Sequence, residues 1–210
     1  MEFDYDFERV ERAEKFKKRF WAVFRMALAI ALAILAAWAI TRYALEKTDM
    51  VGNSMAPTLS DKDIILINKL AYIRKQPKRF DVIVFELNGR EHRFYCIRRV
   101  IGLPGEQIKI EDGVVYINGE ALDEPIMAEP AVIEGLARET ITLDEDEYFV
   151  LGDNRNDSED SRFAHVGNVV DSQIIGRAWL RLSQFGFISR LNQKEDIEEN
   201  GISDGKEAKE

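Results

Sequence analysis

Ser54 lies in the stretch "GNSMAPTL" (residues 52–59). A serine hydroxyl is a weak nucleophile until a base takes its proton, and that base is a His in Ser-His-Asp triads or a Lys in Ser-Lys dyads. The surrounding residue types suit close approach to a peptide. Gly52 permits unusual backbone angles, Pro57 stiffens the exit, and backbone N–H groups of such a turn can form an oxyanion hole. The bland alternative is a serine in a turn, and spacing alone does not separate the two. A second stretch, "FYCIRRVIGLPG" (94–105), places Arg98 and Arg99 in an apolar run, and a third, "GDNRNDSEDSR" (152–162), concentrates Asp153, Ser158, Asp160 and Arg162.

Composition narrows the chemistry. The chain has 210 residues and a formal net charge of −9, which disfavours a nucleic-acid partner because phosphate binding requires a basic face. His92 and His165 lack the HExxH spacing of zinc ligands, and Cys96 is a lone cysteine that gives neither an internal disulfide nor a CxxC site. No metal or cofactor is expected.

These residues must be positioned by two kinds of element. Residues 26–40, "MALAIALAILAAWAI", carry no charge, Pro or Gly. Fifteen helical residues reach only about 22 Å, but the apolar flanks extend the run to 20–45, with Arg25 and Arg42 able to snorkel towards headgroups. A buried core helix and a cleaved signal peptide are the alternatives. The charged lead-in and Arg42 at the exit favour a retained anchor in the lipid bilayer. Lys15, Lys17, Lys18, Arg19 and Arg25 crowd the N-terminal edge of the membrane segment and only Arg42 and Lys47 lie near the other, so the positive-inside rule puts the N-terminus in the cytoplasm and the remainder outside.

After Gly52 the composition changes to short β-branched and aromatic runs: "IILIN", "FDVIVFEL", "RFYCIRRVIG", "EQIKI", "GVVYING", "TITL", "EYFVLG" and "IIGRAWLRL". Turn signals at Asp112-Gly113 and Asn118-Gly119 separate some of them. The expected fold is mainly β behind one N-terminal transmembrane helix. Its divisions are a cytoplasmic segment 1–19, the membrane helix 20–45, an extracytoplasmic β domain 46–191, and an acidic tail 192–210 too poor in apolar residues to order.

"GNSMAPTL", "RFDVIVF" (79–85), "RRVIGLPGE" (98–106) and "GDNRNDSEDSR" occur in this order after one membrane helix. Together they resemble the type I signal peptidases, membrane-bound serine proteases that remove signal peptides from exported proteins. The short form looks like the Gram-positive-type bacterial members. The resemblance implies a signal-peptidase-like β domain, no cofactor, and signal peptides of exported precursors as partners, bound as an added strand with small residues at −3 and −1. It makes Ser54 the nucleophile, with Met55, Pro57 and Thr58 completing its box. Gly152, Asp153 and Asn154 match a glycine-aspartate-asparagine motif. Ser158 matches the serine that orients a lysine base, and Asp160 and Arg162 match the pair that orders the site. Phe80 stands where the family often has glycine.

One position departs from that pattern. Aligning "VIGLPG" puts Arg98 where the family has its base lysine, and no lysine occurs between Lys78 and Lys109. A lysine starts near ~10.4 and desolvation lowers it by ~3–5 units, which makes it neutral near pH 7. An arginine starts near ~13, and neutralising it at pH 7 takes about 8 kcal/mol. A charged guanidinium has no lone pair to offer; it can pair with Asp160 or stabilise an oxyanion. Two functions therefore stand: a signal peptidase I endopeptidase acting through Ser54, and a catalytically impaired relative that binds exported or pilin-like precursors as an assembly factor. His165 is the alternative base. A self-cleaving repressor shares Ser-Lys chemistry but fits neither the anchor nor the acidic charge.

Overall fold

The computed structural model describes residues 3–87, 95–124, 126 and 129–188. The expected tail 192–210 and His92 lie outside the described residues. The chain divides into two compact units, 1–44 and 45–210.

The first unit is one α-helix, α1, Phe3–Tyr43. Its segment Phe16–Ile40 is long and apolar enough to cross a membrane, and none of its most apolar window is buried within the protein. Twenty-five residues rise about 38 Å, more than a ~30 Å hydrocarbon core. Leu45, assigned to the apolar run on its side chain, instead opens the first strand.

The second unit is built on strands β1 (Leu45–Asp49), β2 (Ile64–Asn68), β3 (Val82–Glu86), β4 (Tyr95–Gly102), β5 (Gln107–Glu111), β6 (Val114–Ile117), β7 (Glu120–Ala121), β8 (Ile141–Thr142), β9 (Glu147–Leu151), β10 (Val169–Val170), β11 (Ile174–Arg181) and β12 (Gly186–Phe187). The larger sheet runs β1-β2-β11-β3-β4-β9-β10, with β12 paired to β11, and the smaller runs β7-β6-β5-β8. The pairings among these strands are antiparallel.

The run "VIVF" of β3 is apolar at every position because both faces of that strand are covered. Val82 and Val84 pack with Met55, Leu59, Ile65 and Ile97, while Ile83 and Phe85 pack with Val100, Tyr148 and Val150. A third cluster, including Ile101, Ile108, Ile110, Phe149 and Leu151, joins the two sheets. Asp112 and Gly113 both have positive φ (50° and 78°), as do Asn118 and Gly119 (51° and 86°), the backbone that tight type I′ hairpin turns require. Phe80 also sits at φ 70°, a region an L side chain enters at a cost of about 1–2 kcal/mol and glycine enters freely. Its ring packs on the third cluster, which offsets that strain.

The loop carrying Ser54 is closed at its base by hydrogen bonds between Met50 and the 62–63 turn: Met50 N–H donates to Asp63 O at 2.8 Å and Lys62 N–H to Met50 O at 2.9 Å. The Asp63 carboxylate is buried. It accepts from Ser60 N–H at 2.8 Å and from Ser183 Oγ, and lies 3.6 Å from Arg181. Burial alone would raise its pKa, but the bonds from Ser183 and Ser60 and the charge of Arg181 outweigh it and hold the pKa below the usual aspartate range. A depressed carboxylate stabilises the fold above the unfolded value of about 3.9, and that contribution is lost as the pH falls through and below it. Urea midpoints measured from about pH 6 down to pH 3 should therefore fall, and less steeply in Asp63→Asn. Parallel curves for the two proteins would show that Asp63 does not carry this dependence.

Candidate active site

Three segments distant in sequence converge at Ser54. The first is its own loop, placed by burial of Met55 and Leu59, each 0% exposed. The second is β4, held between β3 and β9. The third is the 152–162 loop that follows β9.

Arg98 Nη1 donates to Ser54 Oγ at 2.8 Å. Both residues are buried to 8% exposure. The guanidinium is fixed from its other side: Nε and Nη2 fork onto the Glu159 carbonyl at 2.9 and 2.6 Å, and Nη1 also donates to Ile97 O at 2.7 Å. Burial lowers the pKa of Arg98 from its ordinary value, against the fields of Cys96, Asp160 and Glu159, which raise it. A guanidinium still keeps its proton under such shifts. Ser54 Oγ thus faces a donor where a serine nucleophile requires an acceptor.

The neighbouring Arg99 makes a separate set of bonds, since successive residues of a strand point to opposite faces. Its Nε donates to Asp153 Oδ1 at 2.7 Å, its Nη2 to Asp153 Oδ2, and its Nη1 to Phe80 O at 3.0 Å. Thr58 Oγ1 donates to the same carboxylate. Asp153 thereby ties the loop of Ser54 to β4.

Asp160 does not pair with Arg98, as the sequence allowed. Its oxygens accept from Arg162 Nε at 2.8 Å and Nη2 at 2.9 Å, and from Gly152 N–H at 3.0 Å. The residue two positions along reaches it in a two-pronged geometry that β4 does not match. Arg162 also donates to Ile133 O and Arg155 O, at 2.9 and 2.6 Å, and is 1% exposed.

Gly152 is the close-packing point. A Cβ there would lie 2.2 Å from Ser158 Oγ and 2.4 Å from Ser54 O, so both serines crowd one glycine. Asn154 N–H donates to Ser54 O at 3.1 Å and Asn154 Nδ2 to Asn53 O at 3.2 Å. Ser158 Oγ is buried and has no hydrogen-bond partner among the described residues. Arg98 passes it over for the Glu159 carbonyl.

The expected residues Ser54, Arg98, Asp153, Ser158, Asp160 and Arg162 are therefore gathered in one region. His165 is not part of it: its Nε2 lies 3.1 Å from Glu159 Oε2 on an exposed surface. No cluster of three or more metal-ligating side chains occurs among the described residues. Arg99 and Arg155 escaped the sequence reading as positioning groups. Arg155 donates to Gly152 O at 3.1 Å and pairs with Glu124, which lies 31 positions away, too far for spacing to reveal it.

Residues 23–183 match the family model described as signal peptidase, peptidase S26. The chain belongs to this family. A probable signal peptidase I-2 of Synechocystis is 33% identical over 173 residues, covering 79% of this chain and 77% of the relative. A signal peptidase I of Bacillus caldolyticus is 38% identical over 150 residues, covering 65% and 80%. The crystal structure of a signal peptidase I from Enterococcus faecalis is 34% identical and covers 49% of this chain and 97% of that one, with a TM-score of 0.40. The mainly β fold behind one apolar helix is that of a signal peptidase I-type hydrolase, a family that acts on signal peptides of exported precursors.

The crowding at Gly152 gives a direct expectation. Gly152→Ala should force Ser54 and Ser158 apart and lower stability by about 1–3 kcal/mol. Urea unfolding would measure the loss. An unchanged midpoint would mean that the close approach at this glycine carries no energetic weight.

Proposed function

We propose that the protein is a membrane-anchored signal peptidase I relative that binds signal peptides of exported precursors at Ser54 but cleaves them poorly, because Arg98 occupies the place of the base. Ser54 is the nucleophile in this reading, and Asp153, Ser158, Asp160 and Arg162 order the site around it. The observation that carries it is the 2.8 Å hydrogen bond from Arg98 Nη1 to Ser54 Oγ. It supports two statements. The β4 position beside the serine is the one where a base has to act, and the group there is a fixed cation with four hydrogen bonds committed to oxygen acceptors. A permanently protonated donor leaves the serine proton in place.

Lysine at the same position differs in kind. Desolvated in this buried setting, its amine can be neutral near pH 7, and the partnerless Ser158 hydroxyl offers it a hydrogen bond. Arg98→Lys should raise the rate of precursor cleavage by about 10²–10⁴-fold, the usual contribution of a general base. The gain should vanish when Ser54→Ala is added. Cleavage of a purified precursor, followed by gel mobility and mass spectrometry, measures both. Full activity in the unmodified chain, lost in His165→Ala, would overturn the account in favour of a histidine base.

A second reading follows from the same contact. A site that holds Ser54 without activating it suits a binding protein, and the chain would then act as an assembly factor for exported or pilin-like precursors. No gain from lysine, with retained fold and retained peptide binding, favours this role.

Phe16–Ile40 anchors the chain in this account, with the N-terminus cytoplasmic because the basic residues cluster on that side. Protease added to intact spheroplasts should degrade residues 45–210. Protection until lysis would reverse the orientation.

A further inference from the structure

Four arginines of the β domain are buried: Arg98, Arg99, Arg155 and Arg162. Three have a carboxylate of their own, Asp153 for Arg99, Glu124 for Arg155 and Asp160 for Arg162. Arg98 has none among the described residues. Its hydrogen bonds end on the Ser54 hydroxyl and on the carbonyls of Ile97 and Glu159, all uncharged. The Asp160 carboxylate, which could have served, is occupied by Arg162. The Glu159 side chain is turned outward to His165. A buried cation without an ion partner is costly, and an anion that reaches it recovers part of that cost.

Of the groups bonded to Arg98, Ser54 is the one at which a bound peptide ends in the reading under Proposed function. A carbonyl carbon poised for attack sits about 3 Å from the serine oxygen. Arg98 Nη1 is 2.8 Å from that oxygen on the protein side. A carboxylate at the same place would lie within about 4–6 Å of the guanidinium, the range over which opposite charges stabilise one another appreciably. The Ser54 N–H makes no hydrogen bond to a described residue.

We propose that Arg98 makes the Ser54 end of the site a carboxylate subsite, so that the ligand held best is a peptide ending in a small residue with a free C-terminal carboxylate, the chemistry of a leader already cut rather than of an intact precursor. This rests on the reading under Proposed function, that a signal peptide binds at Ser54, and deepens it; the groove is the place that would hold the peptide's last residues, small at −3 and −1. A neutral base at this position would gain nothing from the carboxylate, whereas a guanidinium gains a charge-assisted hydrogen bond or a close ion pair. The protein would then retain cleaved leaders in preference to uncleaved chains.

The test uses the full chain in detergent micelles and three synthetic leader peptides, titrated calorimetrically. One ends in Ala-Xaa-Ala with a free carboxylate, the second is its C-terminal amide, and the third carries Phe in place of both Ala residues with the carboxylate kept. The free acid should bind at least about tenfold more tightly than the amide, the scale of one hydrogen bond to a charged group. Arg98→Gln should bring the ratio of acid to amide affinity close to one, whatever happens to the amide affinity itself. Equal affinity for acid and amide, both still tighter than the Phe peptide, would overturn the carboxylate subsite while leaving the groove intact. No preference for Ala over Phe would overturn the groove and this proposal with it. An acid preference that persists in a folded Arg98→Gln protein would place the charge elsewhere and overturn the assignment to Arg98. Displacement of the acid peptide by acetate at equal concentration would show a general anion site and overturn the peptide assignment. The comparison of acid with amide needs no variant, so it stands even where Arg98→Gln fails to fold.

Discussion

Arg98 donates to Ser54 Oγ from a guanidinium already clamped on the Glu159 carbonyl, and the chemistry of the site follows from that one contact. Burial brings β4 close enough to the serine loop for a side chain of lysine or arginine length to reach the hydroxyl. The same burial would make an amine neutral but leaves a guanidinium charged, because the two start about 3 units apart. One site geometry therefore has two outcomes, set by the identity of a single residue.

Holding that geometry falls to a set of buried ion pairs. Arg99 and Asp153 connect β4 to the loop of Ser54 through Thr58, and Asp160 and Arg162 brace the loop after β9 against Gly152. Arg155 extends the frame to Glu124. Such pairs add little net stability over apolar packing, but removing one partner leaves a charge buried alone and typically costs about 3–5 kcal/mol. They act as directional ties that fix where Ser54, Arg98 and Ser158 sit. Gly152 completes the frame by leaving no side chain between the two serines.

Much of this was legible in the sequence. The β-branched runs marked the main strands, and the Asp-Gly and Asn-Gly pairs marked two tight turns whose positive φ values the structure bears out. Phe80 was visible as a departure, and its left-handed backbone shows why glycine suits that place. β1 was not legible: "LEKTD" is polar and becomes a strand only because β2 offers it an edge. The choice of carboxylate by each arginine was not legible either. Asp160 was a reasonable partner for Arg98 on paper, but Arg162 reaches it first in three dimensions. Among the described residues that competition leaves Arg98 without a carboxylate of its own, which no spacing rule encodes.

The central claim is that Arg98 stays charged beside Ser54, and its charge state can be observed without any turnover. The Cζ carbon and guanidinium nitrogens of Arg98, labelled isotopically and followed by NMR, report protonation directly. A permanently protonated guanidinium gives shifts that do not titrate between about pH 5 and pH 10. A titration with a midpoint near pH 7–8 would show that the site can neutralise an arginine, and would contradict the account.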